Sequence, residues 1–491
     1  MAVLIDTVKR RWWVTERYVW PWLLVVSIAA VALRFTHIVY YPLWFDEAWS
    51  AWVAALPFDR MINAVAGDVH PPLYFVILWG LVHVLGDSMF VVRLPSALFS
   101  LASLALSLRI VERLQISGAF IGFTLMALVP FQLFFADEAR GYALLEMLYL
   151  GACLAALSRR WAWLAVCNAA LLYTHNYGAI YAALAGLLAF LVVDRREWWK
   201  VVAWNAGAIV VYAPWVAFGL AGQVAAFGEG HWIRPTSPGG FMYPIYMFVW
   251  NVAMPRELQS SAMLLVAVLV FIALVKVVRD RHVGARVLAY LFLGPLVLAA
   301  LASWAWKPIY LWRALIGAAP AMYYLIGWAL THRVSRLGLI MAHFLFTPML
   351  FVALINHPAR TFEIKGAMEM AQVAEHVAAN WQAGDVIYHI NIGSVVELHR
   401  ALGDRTNVML PTPDHTIVGY SLQTRRALSI VEEPIGALTW RRAWLIWVSS
   451  PGTYEREVVA RDAILAGYRN EKVLGWGDGE LIDGGVWLLW R

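Results

Sequence analysis

Long apolar runs fill the first 355 positions of the chain, and polar residues collect in the short gaps between them. Runs of about 17–25 apolar residues are long enough to cross a bilayer as helices. Eleven are read, at 20–40, 89–110, 117–135, 140–158, 161–175, 177–193, 199–218, 262–279, 286–305, 311–330 and 336–355. One further run, Pro71–Leu85, is shorter and opens on two prolines. From Asn356 onward no run reaches membrane length, and Asp, Glu, Gly and Arg return. There the pattern predicts a helix over Gly366–Trp381, a strand over Asp385–Ile390 and a helix over Ser394–Ala401. Strands follow at Trp444–Val448 and Val486–Trp490, with a helix at Tyr454–Leu465 between them. Alternating strands and helices predict a small α/β domain. The expected architecture is a polytopic α-helical membrane domain over 1–355, with about 11 spans plus juxtamembrane helices, and a soluble α/β domain over 356–491.

Loop charge decides the reading of Pro71–Leu85. If it is not a span, Arg109/Arg113, Arg159-Arg160, Asp194-Arg195-Arg196, Arg279–Arg286 and His332-Arg333-Arg336 all face the N-terminal side. If it is a span, they all move outside, against the tendency of basic loops to stay cytoplasmic. It is therefore expected to be a re-entrant or juxtamembrane helix at the outer interface, with a short second span as the alternative. This orientation places outside the loop 41–88, the turn 136–139, Thr174-His175-Asn176-Tyr177, the loop 219–261, the turn 306–312 and everything after about 356. The expected location is the cell (inner) membrane, multi-pass, with the C-terminal domain extracytoplasmic.

Composition agrees with the pattern. The 491 residues are 62% hydrophobic and 14% charged, where a soluble domain is about 45–50% apolar and about 25% charged. The 27 Trp and 20 Tyr fit residues that favour membrane–water interfaces. The net charge of +6 is spread over short loops, which points to topology and not to nucleic acid. Two cysteines, Cys153 and Cys167, both fall in expected spans, so neither a disulfide framework nor a zinc site is implied. Lys9, Arg10 and Arg11 precede the first long run and read as a signal anchor. No Gly-rich nucleotide fingerprint follows a strand.

Candidate chemistry lies at the outer ends of the spans, where a carboxylate is costly unless it is used. Asp46 sits in Trp44-Phe45-Asp46-Glu47-Ala48, and Glu138 sits in Asp137-Glu138-Ala139-Arg140. An acid at a loop-to-helix junction suits a general base. It also suits an N-cap, and Asp46 is read with both roles open, the second for a helix Glu47–Leu56. Glu138, Tyr142 and Glu146 are spaced four apart, which predicts one shared helix face. Glu146 is also a candidate for a structural ion pair with a helix-borne arginine. Arg93, Arg140, Lys307 and Arg313 lie near outer span ends. The arginine fork suits phosphate oxygens, and snorkelling to headgroups is the alternative. His231, Trp232 and Arg234 mark the long outer loop as a candidate lid.

The ordered motifs Phe45-Asp46-Glu47-Ala48, His70-Pro71-Pro72-Leu73-Tyr74, Leu85-Gly86-Asp87, Arg93-Leu94-Pro95-Ser96 and Glu138-Ala139-Arg140-Gly141-Tyr142 resemble those of GT-C fold glycosyltransferases that use polyprenyl-phosphate sugars. The likeness is to the protein mannosyltransferase and lipid A aminoarabinose transferase group. Thr174-His175-Asn176-Tyr177 and Lys307-Pro308-Ile309-Tyr310-Leu311-Trp312-Arg313 extend it, so that it covers roughly 20–355. The resemblance implies inverting transfer of one sugar from a polyprenyl phosphate to an acceptor hydroxyl on a glycan, glycolipid or protein at the outer face. It implies Asp46 as general base and a second acid at Glu138 or Glu146. It also implies donor contacts from Arg313, Arg140, Tyr142, His70, His175, Lys307, Arg93 and Tyr310. No cofactor is firmly implied. A divalent cation is a minority reading, because His70 and His175 lack partners at ligand spacing.

Two other classes are carried. A lipid or solute transporter would place charges along a route and show paired inverted repeats, and none stands out. A non-catalytic assembly factor would use the soluble tail but leave the outer acids unexplained.

Overall fold

A computed structural model describes residues 19–490 except 37, 230–232, 234, 332–335, 366, 407, 411–420, 436, 438, 449–453 and 477–482. Lys9, Arg10, Arg11, His231, Trp232 and Arg234 therefore lie outside the described residues. In chain order the first helices are α1 (Val19–Thr36), α2 (Phe45–Ala55), α3 (Phe58–Ala66), α4 (Leu73–Leu85) and α5 (Met89–Leu114). Then come α6 (Ala119–Leu128), α7 (Pro130–Ala136), α8 (Tyr142–Leu157), α9 (Trp161–Thr174), α10 (Gly178–Val192), α11 (Trp198–Phe218) and α12 (Leu220–Glu229). Next are α13 (Tyr243–Trp250), α14 (Arg256–Asp280), α15 (Val283–Ala305), α16 (Ala319–Thr331, entered through a 3-10 stretch Trp312–Ala318) and α17 (Arg336–Lys365). The tail holds α18 (Ala367–Ala379), β1 (Val386–His389), α19 (Ile392–Leu402), β2 (Val408–Met409), α20 (Leu422–Ala427), β3 (Val431–Glu432), β4 (Arg442–Val448), α21 (Tyr454–Gly467), β5 (Arg469–Trp476) and β6 (Gly484–Trp490).

The fold is mostly helical, and this is a multi-pass membrane protein. Among the described residues five helices are long and apolar enough to cross a membrane, six if the bent pair α6–α7 counts as one span. The expected uninterrupted span at 117–135 is that pair, bent by 53° at Val129-Pro130. The cause is Pro130, which has no N–H for the carbonyl of Met126 and opens a new helix at its N1 position.

The chain divides into two compact units. The first comprises 1–38, 93–215 and 233–361, and the second 39–92, 216–232 and 362–491. In the first, α6 and α16 approach closely through small residues. A side chain at Gly118 would meet the Gly327 carbonyl at 2.4 Å, and one at Gly122 would meet Tyr324. Backbone contact of this kind substitutes for the hydrophobic effect that lipid cannot supply.

In the second unit the strands form one six-stranded sheet of order β3-β2-β1-β4-β6-β5. The first four run parallel, and β6 and β5 pair antiparallel. Side chains alternate between its faces. Ile387, Trp444 and Ile446 pack with Val373 and Val377 of α18 and Leu398 of α19. Tyr388, Leu445 and Trp447 pack on the other face with Val458 and Ile464 of α21. The sequence pattern located α18, β1, α19, β4, α21 and β6 but not β2, α20, β3 or β5. The Arg-Asn-Glu-Lys start of β5 is exposed, as charged edge strands are.

Asp385, just before β1, ties the sheet together. It accepts two bonds from Arg442, at 2.9 and 2.6 Å, one from the Trp444 indole at 2.9 Å and one from the Gln382 amide at 3.0 Å. Burial pushes its pKa up, but these donors outweigh burial and hold it below the usual 3.8. A depressed folded value means that its stabilisation is complete above about pH 4 and fades as pH falls through the lower folded pKa. Asp385→Asn is accordingly expected to speed amide hydrogen exchange in β1 and β4 of the full chain at neutral pH. The difference from wild type should shrink below pH 4, and a difference independent of pH would contradict the ion-pair account.

Candidate active site

In the first unit, α8 supplies the centre of the site. It begins at Tyr142, with Gly141 at its N-cap. Glu138 therefore does not share the helix face of Tyr142 and Glu146 that its spacing predicted. It sits in the turn after α7, where the Arg140 amide bonds the Glu138 carbonyl at 2.7 Å. Asp137, Glu138 and Arg140 are all buried, and the Ser96 hydroxyl lies 3.5 Å from the Arg140 carbonyl. Arg93 is fully buried and donates to the Ile38 carbonyl at 2.9 Å, so it does not snorkel to headgroups.

Three expected donor-binding residues meet around one ring. The Arg313 guanidinium lies 5.8 Å from the centroid of Tyr142, and the His175 ring lies 5.7 Å from it. A cation over an aromatic face is attracted by the ring quadrupole. The turn that carries Arg313 is held by Tyr177, whose hydroxyl bonds the Ile309 carbonyl and accepts from the Leu311 amide. Tyr310 donates to the Phe241 carbonyl at 3.0 Å, and burial pushes its phenol up to about 12, so it remains a donor. Lys307 is half-buried at the start of the same turn.

Glu146, one turn along α8 from Tyr142, belongs to a separate polar group. It accepts from the Gln132 amide at 2.8 Å and is 1% exposed. The buried Arg34 attracts both Glu146 and Asp137 electrostatically but bonds to neither. The Arg34 guanidinium is fully buried and bonds Ser100 Oγ at 2.9 Å, the Ala30 carbonyl at 3.1 Å and the Ala127 carbonyl at 2.9 Å. It also reaches the Met126 carbonyl at 3.4 Å. Met126 and Ala127 are carbonyls released by the break at Pro130, so Arg34 caps the bend. Sequence reading did not single out Arg34 or Gln132. The available signal was an arginine within an apolar run, which is a functional or structural marker by default.

In the second unit, Asp46 lies in the first turn of α2 and is 8% exposed, and Glu47 is fully buried. The N-cap position belongs to Trp44, without a side-chain capping bond. The capping role open to Asp46 in sequence is therefore excluded, because α2 starts two residues earlier than Glu47. A carboxylate in the first turn is favoured by the helix dipole. α2 packs on α4 through the Trp79 indole, which donates to the Leu56 carbonyl at 3.0 Å. It packs on α19 through Trp52, whose ring stacks on His399 with centroids 3.7 Å apart. α3 is bound to α20: Arg60 bonds the Ala427 carbonyl, and Thr424 Oγ1 bonds the Ala64 carbonyl at 2.9 Å. His70 Nδ1 lies 2.9 Å from Asp68, an acid that sequence reading passed over. Among the described residues no group of three or more His, Cys, Asp or Glu is placed to hold a metal ion.

Comparison with solved structures decides the fold. Over 95% of this chain and 98% of the other, the protein is similar to ArnT from Cupriavidus metallidurans in the apo state, with 14% identity and a TM-score of 0.62. The chain has the GT-C fold. The same ArnT bound to undecaprenyl phosphate gives a TM-score of 0.57, also at 14% identity, over 95% of this chain and 98% of that one. The arabinofuranosyltransferase AftD from Mycobacteria gives 0.51 at 14% identity, over 96% of this GT-C chain but 40% of its own. Residues 69–218 match the family model of dolichyl-phosphate-mannose-protein mannosyltransferase. No curated protein sequence matches the chain. The matched family and AftD are glycosyltransferases by name, and ArnT has been solved with undecaprenyl phosphate bound.

Proposed function

We propose that the protein is an inverting glycosyltransferase that moves a sugar from a polyprenyl phosphate to an acceptor hydroxyl at the outer face of the inner membrane. The observation that carries this reading is the likeness to ArnT along nearly the whole chain, soluble tail included. Asp46 is the general base. It takes the acceptor proton as the new carbon–oxygen bond forms opposite the phosphate, and the old bond leaves with its electron pair on the phosphate. Arg313 and Arg140, with Lys307 and Arg93 in support, neutralise the charge growing on that phosphate. The cluster of Arg313, Tyr142 and His175 supports this assignment, and Tyr310 and His70 bind donor or acceptor. Glu138 is the preferred second acid. The burial of Glu146 and its bond from Gln132 support a structural role there. The basic loops at the far ends of the spans support a cytoplasmic N-terminal side and an extracytoplasmic 356–491 domain. The membrane domain is assigned to 1–355.

The test is purified protein in vesicles with a radiolabelled polyprenyl-phosphate sugar and outer-face acceptors. Label is expected in the acceptor with inverted anomeric configuration. Movement of lipid or solute across the vesicle without sugar transfer would replace this reading with a transporter.

A further inference from the structure

A crevice of about 670 Å³ lies in the first unit between α5, α8 and α9. It opens at the C-terminal ends of α5 and α8, while Tyr142 stands at the N-terminal end of α8. With 16 residues in α8, the separation is about 24 Å at 1.5 Å per residue. The floor is apolar: Met147, Leu154 and Cys167 line it, and Gly151 widens it by having no side chain. A side chain at Gly151 would come within 3.3 Å of the Cys167 sulfur, so the passage there is narrow.

The rim has the opposite character. Arg109, Arg113 and Arg160 line it, all with exposed side chains, against a single acid, Glu112. Glu112 pairs with Arg109 at 3.2 Å across an exposed contact of little strength. Arg113 and Arg160 have no ion-pair partner among the described residues. Trp163, 60% exposed, completes the rim as a ring suited to the headgroup level. The first N–H groups of α9, which starts beside Arg160, add positive potential at the same end.

We propose that this crevice is a binding site for an anionic phospholipid, with the phosphate at the arginine rim and one acyl chain along the apolar floor. A neutral solute would leave the arginines unused. A small anion would leave the floor uncovered. Basic pockets between membrane helices take anionic headgroups on the same grounds. With the orientation proposed above, the leaflet is the cytoplasmic one, but the binding test does not depend on orientation.

Native mass spectrometry of the full chain in neutral detergent, titrated with phosphatidylglycerol and with phosphatidylcholine, reads the site directly. Phosphatidylglycerol is expected to bind at least about tenfold more tightly, each arginine near the phosphate counting for several-fold. The triple variant R109Q/R113Q/R160Q, confined to exposed side chains, should lose that preference. Cys167→Trp, which fills the floor and leaves the rim intact, should lower phosphatidylglycerol retention without abolishing sugar transfer. Equal binding of the two lipids, or an unchanged preference in the triple variant, would overturn the proposal. Unchanged retention in a folded Cys167→Trp protein would overturn the acyl seat.

Discussion

Replacing Asp46 by asparagine is expected to lower sugar transfer by roughly 10²–10⁴-fold, the span typical of a lost general base. The change keeps size and shape but removes the group that takes the acceptor proton. Folding should survive it. Asp46 occupies the first turn of α2 and not its cap, so no capping bond is lost. The α2 contacts through Trp52 and Leu56 do not involve its side chain. Glu47→Gln is the matched control, since Glu47 is the adjacent, fully buried carboxylate in the same turn. Single-turnover rates in vesicles, with monodispersity as the check on folding, measure both variants. A well-folded Asp46→Asn protein with wild-type rates would falsify the assignment of the base.

Arg34→Leu is expected to be the most damaging change in the membrane part, because each buried acceptor left without its donor costs about 1–3 kcal/mol. Two losses coincide. Glu146 and Asp137 lose the attraction of a nearby buried positive charge. The Met126 and Ala127 carbonyls lose the donor that replaced the helix bonds denied by Pro130. Arg34→Lys keeps the charge but not the fork that reaches Ser100 and Ala127 together. An intermediate loss is therefore expected. The double variant R34L/E146Q should recover part of the stability, because it removes one of the stranded charges. Thermal unfolding in detergent reads all three. A stable Arg34→Leu protein would mean that the bend at Val129-Pro130 holds without a cap.

The contrast between legible and illegible features follows from range along the chain. Apolar helices were readable because hydrophobic length is a local property, although five or six helices of membrane length among the described residues stand against the eleven spans expected. The bend was marked by Pro130, yet a proline in an apolar run is also tolerated within a helix, as Pro95, Pro214 and Pro295 are here. The start of α2 at Phe45 was missed by two residues, and that shift removed the capping role from Asp46. Glu138 was put on a helix face by spacing alone, and Gly141 ends that inference by starting α8 later. Resemblance named Tyr142, His175 and Arg313, and these do meet. Arg34 is different in kind. Its partners at 100, 126 and 127 are remote in sequence, and no pattern within α1 announces them.

The second unit joins 39–92 to 362–491 across residues 93–361, with 216–232 as a third piece. Synthesis runs at about 5–20 residues per second, so α2, α3 and α4 wait on the order of tens of seconds for their partners on α19 and α20. During that interval Trp52 has no His399 to stack on, and the Ala64 carbonyl has no Thr424. The helix bearing Asp46 thus reaches its final setting only after residues 392–427 have been made, and a chain stalled before residue 362 would leave α2 and α3 without these partners.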